Sequence, residues 1–482
     1  MDRLSPLDAS FLHLEDGINH MHIGSVAVFD GPPPPYRRLV EALASRLPLL
    51  PRYRQTVRFV PLGLGRPVWV DDPHFNLEYH LRHTALPKPG GDDELRDLVG
   101  RLMSQELDRS RPLWEVWMVE GLGHGRWALV SKVHHCMVDG VAGTDLLTVT
   151  LDADPEPAPP PPDDWSPERQ PGSRELMARA VAERAVLPYE MVRSLRSATR
   201  GPRQALRQLG ELGGGLSSLL GVARPSNVSS INGPIGPHRR WDWARTSLAD
   251  VRSVRSAFGG TVNDVVLAAI TGGFRDLLLF RGEEVAGRAI RTLVPVSVRA
   301  PGERGVYNNQ VSAMFAELPV GIADPVDRLN AVRAQMQGLK ESKQAVAGES
   351  LVAMAGFAPP LLLSLGARVF VRLHQHNVNT VTTNVPGPQW TLYALGRPLV
   401  ECLPYVPLAG SVRVGVAIFS YNGTLAYGVT GDYDAAPDIG VLCRGIEQAM
   451  ADLVSRAGAE PAPAPSGAAA NGSRRQTGSR AG

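Results

Sequence analysis

Two adjacent histidines, with an aspartate and a glycine shortly after, make His134-His135-Cys136-Met137-Val138-Asp139-Gly140 the stretch best able to do chemistry. An imidazole takes up and returns a proton near pH 7, so a positioned histidine can serve as general base and then as general acid. The run Trp127 to Val133 before the pair is apolar, of strand length and contains β-branched valines. The segment Val141 to Leu147 after it can open a helix. A strand therefore delivers two imidazoles to a turn, and Gly140 lets the backbone leave that turn tightly. Asp139 can lock the turn through a charge pair elsewhere in the fold.

Other chemistries fit these residues less well. Neighbouring strand residues point to opposite faces, so the two histidines do not easily share one ion. No His/Cys/Asp/Glu cluster elsewhere completes a zinc site, and no metal is expected. A buried structural histidine pair is the competing reading. Cys136 has the character of a small buried thiol, because nothing nearby suggests an activated thiolate. The chain has no Gly-x-Ser-x-Gly elbow, so a covalent serine intermediate is not needed.

The elements that must hold this turn are spread over 482 residues, too many for one core and enough for two or three domains. Hydrophobic residues make up 43%, which supports a well-buried interior. A formal charge of +2 gives no case for nucleic acid. Three cysteines, Cys136, Cys402 and Cys443, show no paired spacing and favour a reducing compartment. The first residues lack the apolar core of a signal peptide, and no stretch reads as a clean membrane span.

Along the chain, Met21 to Phe29 alternates as a strand, and Tyr36 to Leu47 carries leucines at helical spacing. Val57 to Val70 reads as a hairpin turning near Gly63 and Gly65, and Asp92 to Leu107 as an amphipathic helix. A turn at Pro112 leads into a strand at Trp114, and the histidine strand follows. Strands interleaved with helices indicate a mixed α/β layer.

The first unit is placed at 1–151. Residues 152–230 hold a linker with four prolines, Pro159 to Pro162, and then a helical segment. Between 173 and 221 that segment has eight arginines against four glutamates. It can lie on an anionic membrane surface or be a solvated face bridging two domains.

A second unit, 231–456, opens near Arg239. It holds a helix at Thr261 to Ala268, capped by Thr261 or Asn263, and strands from Ile290 and from Asn308. A polar-faced helix spans 323–343. The uncharged stretch Leu351 to Ala367 is broken at Pro359-Pro360 and reads as two half-helices, in the core or lining a lipid site. A strand at Asn379 to Thr383 runs into the turn Asn384-Val385-Pro386-Gly387-Pro388. A hairpin turns at Tyr421-Asn422-Gly423, and Ile439 to Val454 is the last helix. The 457–482 tail is Ala/Pro/Gly/Ser-rich and is expected to be disordered.

Seven blocks in order give the chain a recognisable pattern: Leu4 to Phe11, Met21 to Ser25, Pro112-Leu113-Trp114, His134 to Gly140, Asn263 to Ala268, Pro295 to Arg299 and Thr383 to Pro388. Together they resemble the bacterial wax ester synthase/acyl-CoA:diacylglycerol acyltransferase family over roughly residues 4–455. One departure is Asn308-Asn309-Gln310, where many members carry Gly-Asn-Gln.

The resemblance implies an α/β fold of two chloramphenicol-acetyltransferase-like domains with mixed sheets, joined by the Pro-rich linker and basic helical segment, with the site in a channel between them. It implies acyl transfer from acyl-CoA, a co-substrate and not a cofactor, to diacylglycerol or a long-chain alcohol. On that resemblance His135 is the general base, with His134 beside it in the catalytic motif. Asp139 is structural and pairs with Arg299. Asn263 is the first candidate oxyanion donor and Asn384 the second, although each can instead be a cap or turn residue. Trp114 shapes the floor of the site, and Gly140 and Asn384 belong to its substrate-binding surroundings. The enzyme is expected in the cytoplasm, with peripheral contact to the inner membrane or lipid droplets. The competing functions are a carrier-protein-dependent condensation-type acyltransferase and a non-catalytic lipid-droplet-binding protein.

Overall fold

A computed structural model describes residues 2–137, 151–156, 163–183, 229–297, 311–341 and 378–459. Asp139, Gly140, Arg299, most of the basic segment, the 351–367 stretch and the tail beyond residue 459 lie outside the described residues.

The first half of the chain builds α1 (Pro6–Leu14), β1 (His22–Phe29), α2 (Tyr36–Arg46), the pair β2 (Gln55–Arg58) and β3 (Val68–Asp71), the one-turn α3 (Leu77–His80), β4 (Leu81–Ala85), α4 (Asp92–Met103), β5 (Trp114–Leu122) and β6 (Arg126–His134). The second half gives β7 (Arg239–Ser247), α5 (Leu248–Phe258), α6 (Val262–Phe280), β8 (Ile290–Ser297), β9 (Val311–Leu318), α7 (Pro325–Glu341), β10 (Thr380–Pro386), β11 (Tyr393–Ala394), β12 (Arg397–Tyr405), β13 (Val414–Tyr421), β14 (Thr424–Asp432) and α8 (Ile439–Ala459). The last helix therefore runs past the start of the expected tail. Of the basic segment, residues 173–183 are helical, and Leu176 packs on Val68 and Val70.

Apart from the separate β2–β3 pair, the strands form two six-stranded mixed sheets, in the orders β11-β12-β1-β6-β5-β4 and β7-β14-β13-β10-β8-β9. The expected division at the linker does not follow the sheets. β11 and β12 come from the second half of the chain, yet β12 pairs antiparallel with β1 from Gly24↔Tyr405 to Phe29↔Leu399. Reading β12 from sequence is hindered by Pro398 and Pro404, which lack the N–H a ladder uses.

One face of the first sheet packs on α4 through Leu95, Val99, Leu102 and Met103. The second sheet buries one face under α5, α6, α7 and α8. Helix α6 is buried almost throughout from Asp264 to Phe274 and is started by Thr261, whose hydroxyl accepts the Asp264 N–H while Asp264 Oδ2 accepts the Thr261 N–H at 2.8 Å. That reciprocal cap settles the choice between Thr261 and Asn263 for Thr261. The β13–β14 hairpin turns at Asn422 and Gly423, both with positive φ, the geometry that suits the right-handed strand twist.

The halves meet through specific bonds. Gly428 in β14 lies under the Pro404 carbonyl of β12 so closely that a Cβ there would clash. Trp241 Nε1 donates to that same carbonyl at 3.1 Å. Arg96 on α4 pairs with Asp242 on β7 at 2.5 Å, and Arg245 pairs with Glu401 at 2.7 Å.

Candidate active site

Strand β6 ends at His134, and the chain then makes a short 3-10 turn from His135 to Met137. The neighbouring strand sets the register, since His22 in β1 lies opposite His134. The His135 N–H donates to the Met21 carbonyl at 2.8 Å, which ties the first residue of the turn to the start of β1. The His135 ring stacks on Phe11 of α1 at 4.1 Å between centroids. The residue is half-buried, but its Nδ1 is sealed from solvent and has no hydrogen-bond partner among the described residues. Desolvation pulls its pKa down to about 4, against the opposing influence of its own carbonyl.

His134 differs from its neighbour. It is fully buried, and its Nδ1 accepts the Cys136 N–H at 3.1 Å. A nitrogen that accepts cannot carry the proton in a neutral ring, so the proton sits on Nε2. Nε2 lies 3.4 Å from a carboxylate oxygen of Glu15. That carboxylate is also gripped by Arg109, with Nη2 at 2.7 Å and Nε at 3.0 Å, and accepts the Met21 N–H at 3.1 Å. Burial works against its ionisation, but the nearby His134 imidazole and the Arg109 guanidinium outweigh that and hold its pKa near 2. Glu15 was not identified from sequence. It sits at the end of α1, far from the motif in the chain, and its spacing carries no signal.

Cys136 is buried, and burial pushes its thiol well above the ordinary range. It packs with Leu12, Leu107 and Leu113, as a small apolar side chain would. Trp114 is 1% exposed, gives its N–H to the Tyr53 carbonyl at 2.8 Å and stacks on His80 at 4.6 Å. With Val133 and Met137 it fills the core beneath the turn. An enclosed ring of this kind supports the motif by packing and leaves no face for a substrate, which departs from the substrate-binding place expected of it.

Asn263 and Asn384 are brought together by the second sheet and its central helix. Asn263 is in the first turn of α6, Asn384 is in β10, and Asn384 Nδ2 donates to Asn263 Oδ1 at 3.2 Å. Both are half-buried. In β10 Asn384 continues the side of Thr380 and Thr382, and Thr382 bonds Thr292 at 2.8 Å. The following turn depends on Gly387, where a Cβ would strike the Ser420 carbonyl and the Phe419 ring. Among the described residues no group of three or more His, Cys, Asp or Glu could hold a metal ion.

Two mixed sheets, with an imidazole presented at the end of a strand of the first, define a chloramphenicol-acetyltransferase-like fold. The first condensation domain of the calcium-dependent antibiotic synthetase shares it at TM-score 0.59, with 17% identity over 95% of this chain and 96% of that one. A closer likeness is the wax ester synthase/diacylglycerol acyltransferase from Marinobacter aquaeolei VT8, with TM-score 0.66, 27% identity and coverage of 95% of this chain and 100% of that chain.

The wax ester synthase/diacylglycerol acyltransferase catalytic domain matches residues 4–266, and the C-terminal domain of the same family matches 307–454. A probable diacylglycerol O-acyltransferase of Mycobacterium tuberculosis H37Rv is 39% identical over 457 residues, covering 94% of this chain and 96% of the relative. A putative diacylglycerol O-acyltransferase of the same strain is 33% identical over 461 residues, covering 94% and 91%. The chain belongs to the wax ester synthase/diacylglycerol acyltransferase family.

Proposed function

We propose that this protein is an acyl-CoA-dependent O-acyltransferase that makes triacylglycerol from diacylglycerol and wax ester from long-chain alcohols, using no cofactor. The observation that carries this reading is the arrangement of the two imidazoles. His134 has Nδ1 bonded inside the turn and Nε2 buried against the Glu15 carboxylate, and His135 has one sealed nitrogen and one left for chemistry.

A sealed Nδ1 cannot take a proton from a substrate, so the base is Nε2 of His135. The acceptor hydroxyl gives its proton to Nε2 as its oxygen attacks the thioester carbonyl. The tetrahedral oxyanion collapses, the C–S bond breaks, and the imidazolium returns the proton to the coenzyme A sulfur. Burial keeps the free imidazole unprotonated but also makes proton uptake uphill. Proton transfer is therefore concerted with C–O bond formation, when the new oxyanion offsets the imidazolium charge. The Asn263–Asn384 pair supplies the amide donors for that oxyanion, where one well-placed donor is worth about 10²- to 10³-fold in rate.

The enzyme meets its lipid acceptor as a peripheral protein at a membrane or droplet surface. No helix among the described residues is long and apolar enough to cross a membrane. The β2–β3 hairpin instead presents Leu62, 85% exposed, with Phe59 nearby and the exposed Arg58 beside it.

The deciding experiment measures ester synthesis from labelled palmitoyl-CoA with diacylglycerol and with hexadecanol. His135→Ala is expected to lower kcat by about 10²- to 10⁴-fold, the usual worth of a general base. Undiminished synthesis by that variant, or a wild type active only with a carrier-bound acyl group, overturns this reading.

A further inference from the structure

The end of α1 touches the two histidines directly at two points and reaches them through Met21 at a third. Phe11 stacks on the His135 ring. Glu15 faces His134 Nε2 at 3.4 Å. The same carboxylate accepts the Met21 N–H at 3.1 Å, and the Met21 carbonyl in turn accepts the His135 N–H at 2.8 Å. A single buried carboxylate, 4% exposed, thus reaches both histidines, one directly and the other through one peptide unit.

We propose that Glu15 is the positioning residue of this site, fixing the proton of His134 on Nε2 and the main chain of His135 in the orientation the reaction needs. The proposal rests on the reading of His135 as the base.

The geometry makes the carboxylate hard to replace. Each of its inward partners is a donor: the Met21 N–H, the His134 Nε2–H and the Arg109 guanidinium. Only an ionised carboxylate is acceptor on both oxygens. An amide of the same shape would present an NH₂ to one of these donors. His134 cannot respond by moving its proton to Nδ1, because Nδ1 accepts the Cys136 N–H inside the turn. Replacing oxygen by NH₂ therefore breaks the bond at Met21 or sets an NH₂ against His134 Nε2–H. Either change loosens His135 without removing any group that touches substrate.

Arg109 accounts for the charge. It offsets the buried anion through two bonds to the carboxylate, and a further bond runs from its Nη2 to the Leu12 carbonyl at 3.0 Å. The ion pair therefore also holds the last turn of α1 against the loop between α4 and β5.

The test compares wild type, Glu15→Gln and His135→Ala as full-length chains. Their kcat and KM are measured with palmitoyl-CoA and diacylglycerol, and the His134 ring is followed by NMR of ¹⁵N-histidine-labelled protein. Glu15→Gln is expected to lower kcat by about 10²-fold, the order of loss from an ångström of misplacement, with KM within about two-fold of wild type. Wild-type His134 is expected to show a protonated Nε2 and a bare Nδ1, a pattern lost in Glu15→Gln.

Wild-type kcat in Glu15→Gln, or a rise in KM alone, overturns the proposal. So does a wild-type His134 protonated on Nδ1, and that spectrum decides the matter even if the variant does not fold. If His135→Ala keeps full activity, the assignment of the base fails instead, and the two failures are told apart.

Discussion

At the scale of single residues, the adjacent histidines have divided their roles through their surroundings. His134 is bonded through Nδ1 and faces Glu15 with Nε2, and His135 is stacked on Phe11 with one nitrogen sealed. The motif was legible as a place where a proton moves, but nothing in its spacing shows which nitrogen is free. Desolvation sets the pH behaviour. The pKa of His135 lies at about 4, below the usual 6.5, so the neutral base persists as pH falls and is lost only through about pH 4. An unperturbed imidazole would be half protonated at about 6.5. The acid limb of kcat/KM is therefore expected well below pH 6, with little change between pH 8 and 5.5. Buried His22 and His80 are also held below the ordinary histidine range by desolvation. The unfolded chain takes up protons at these positions before the folded one does, so stability falls as pH drops below about 6.5. Circular dichroism at each pH separates loss of the base form from loss of the fold. An acid limb centred near 6.5 in a folded enzyme would refute the desolvated base.

At the scale of elements, alternation and turn chemistry carried most of the strands, and helical spacing carried α2, α4, α7 and α8. The strand least legible is β12, where two prolines interrupt the pattern, although its place in the sheet is secured by Leu399, Cys402 and Leu403 turned into the cores. Helix α1 was not read as an element, and Glu15 was missed with it, because its value comes from a contact across the fold. Two glycines test opposite consequences of packing. Gly428→Ala forces a methyl against the Pro404 carbonyl where β14 crosses β12. It is expected to destabilise by about 1–3 kcal/mol, as overpacking does. Gly338→Ala lies on an exposed part of α7 with no neighbour within 4 Å of the added carbon. It removes chain entropy from the unfolded state and is expected to stabilise by about 0.5–1 kcal/mol. Urea titrations of the two variants check both signs, and equal effects would show that the β12–β14 crossing is looser than the geometry indicates.

At the scale of the whole molecule, the sequence reads as two successive units, yet the strand order interlaces them. β12 leaves the second half, crosses Gly428 and completes the first sheet beside β1. The linker is therefore not a boundary between independent folding units. Removing the second half would expose the edge of β1, whose Val26, Ala27, Val28 and Phe29 are all buried in the intact protein. An uncovered apolar edge strand is a template for aggregation. A fragment of residues 1–183 is expected to be insoluble alone and to become soluble when co-expressed with residues 229–482, which bring β11 and β12. The complex of fragments should elute together in gel filtration. Recovery of the first fragment alone as a soluble monomer with native circular dichroism would mean that the first sheet does not need its borrowed strand. The same interlacing bears on the reaction. The strand that completes the sheet behind His135 and the strand that carries Asn384 come from one half of the chain, so the base and the amide pair are held in one body without relying on the linker.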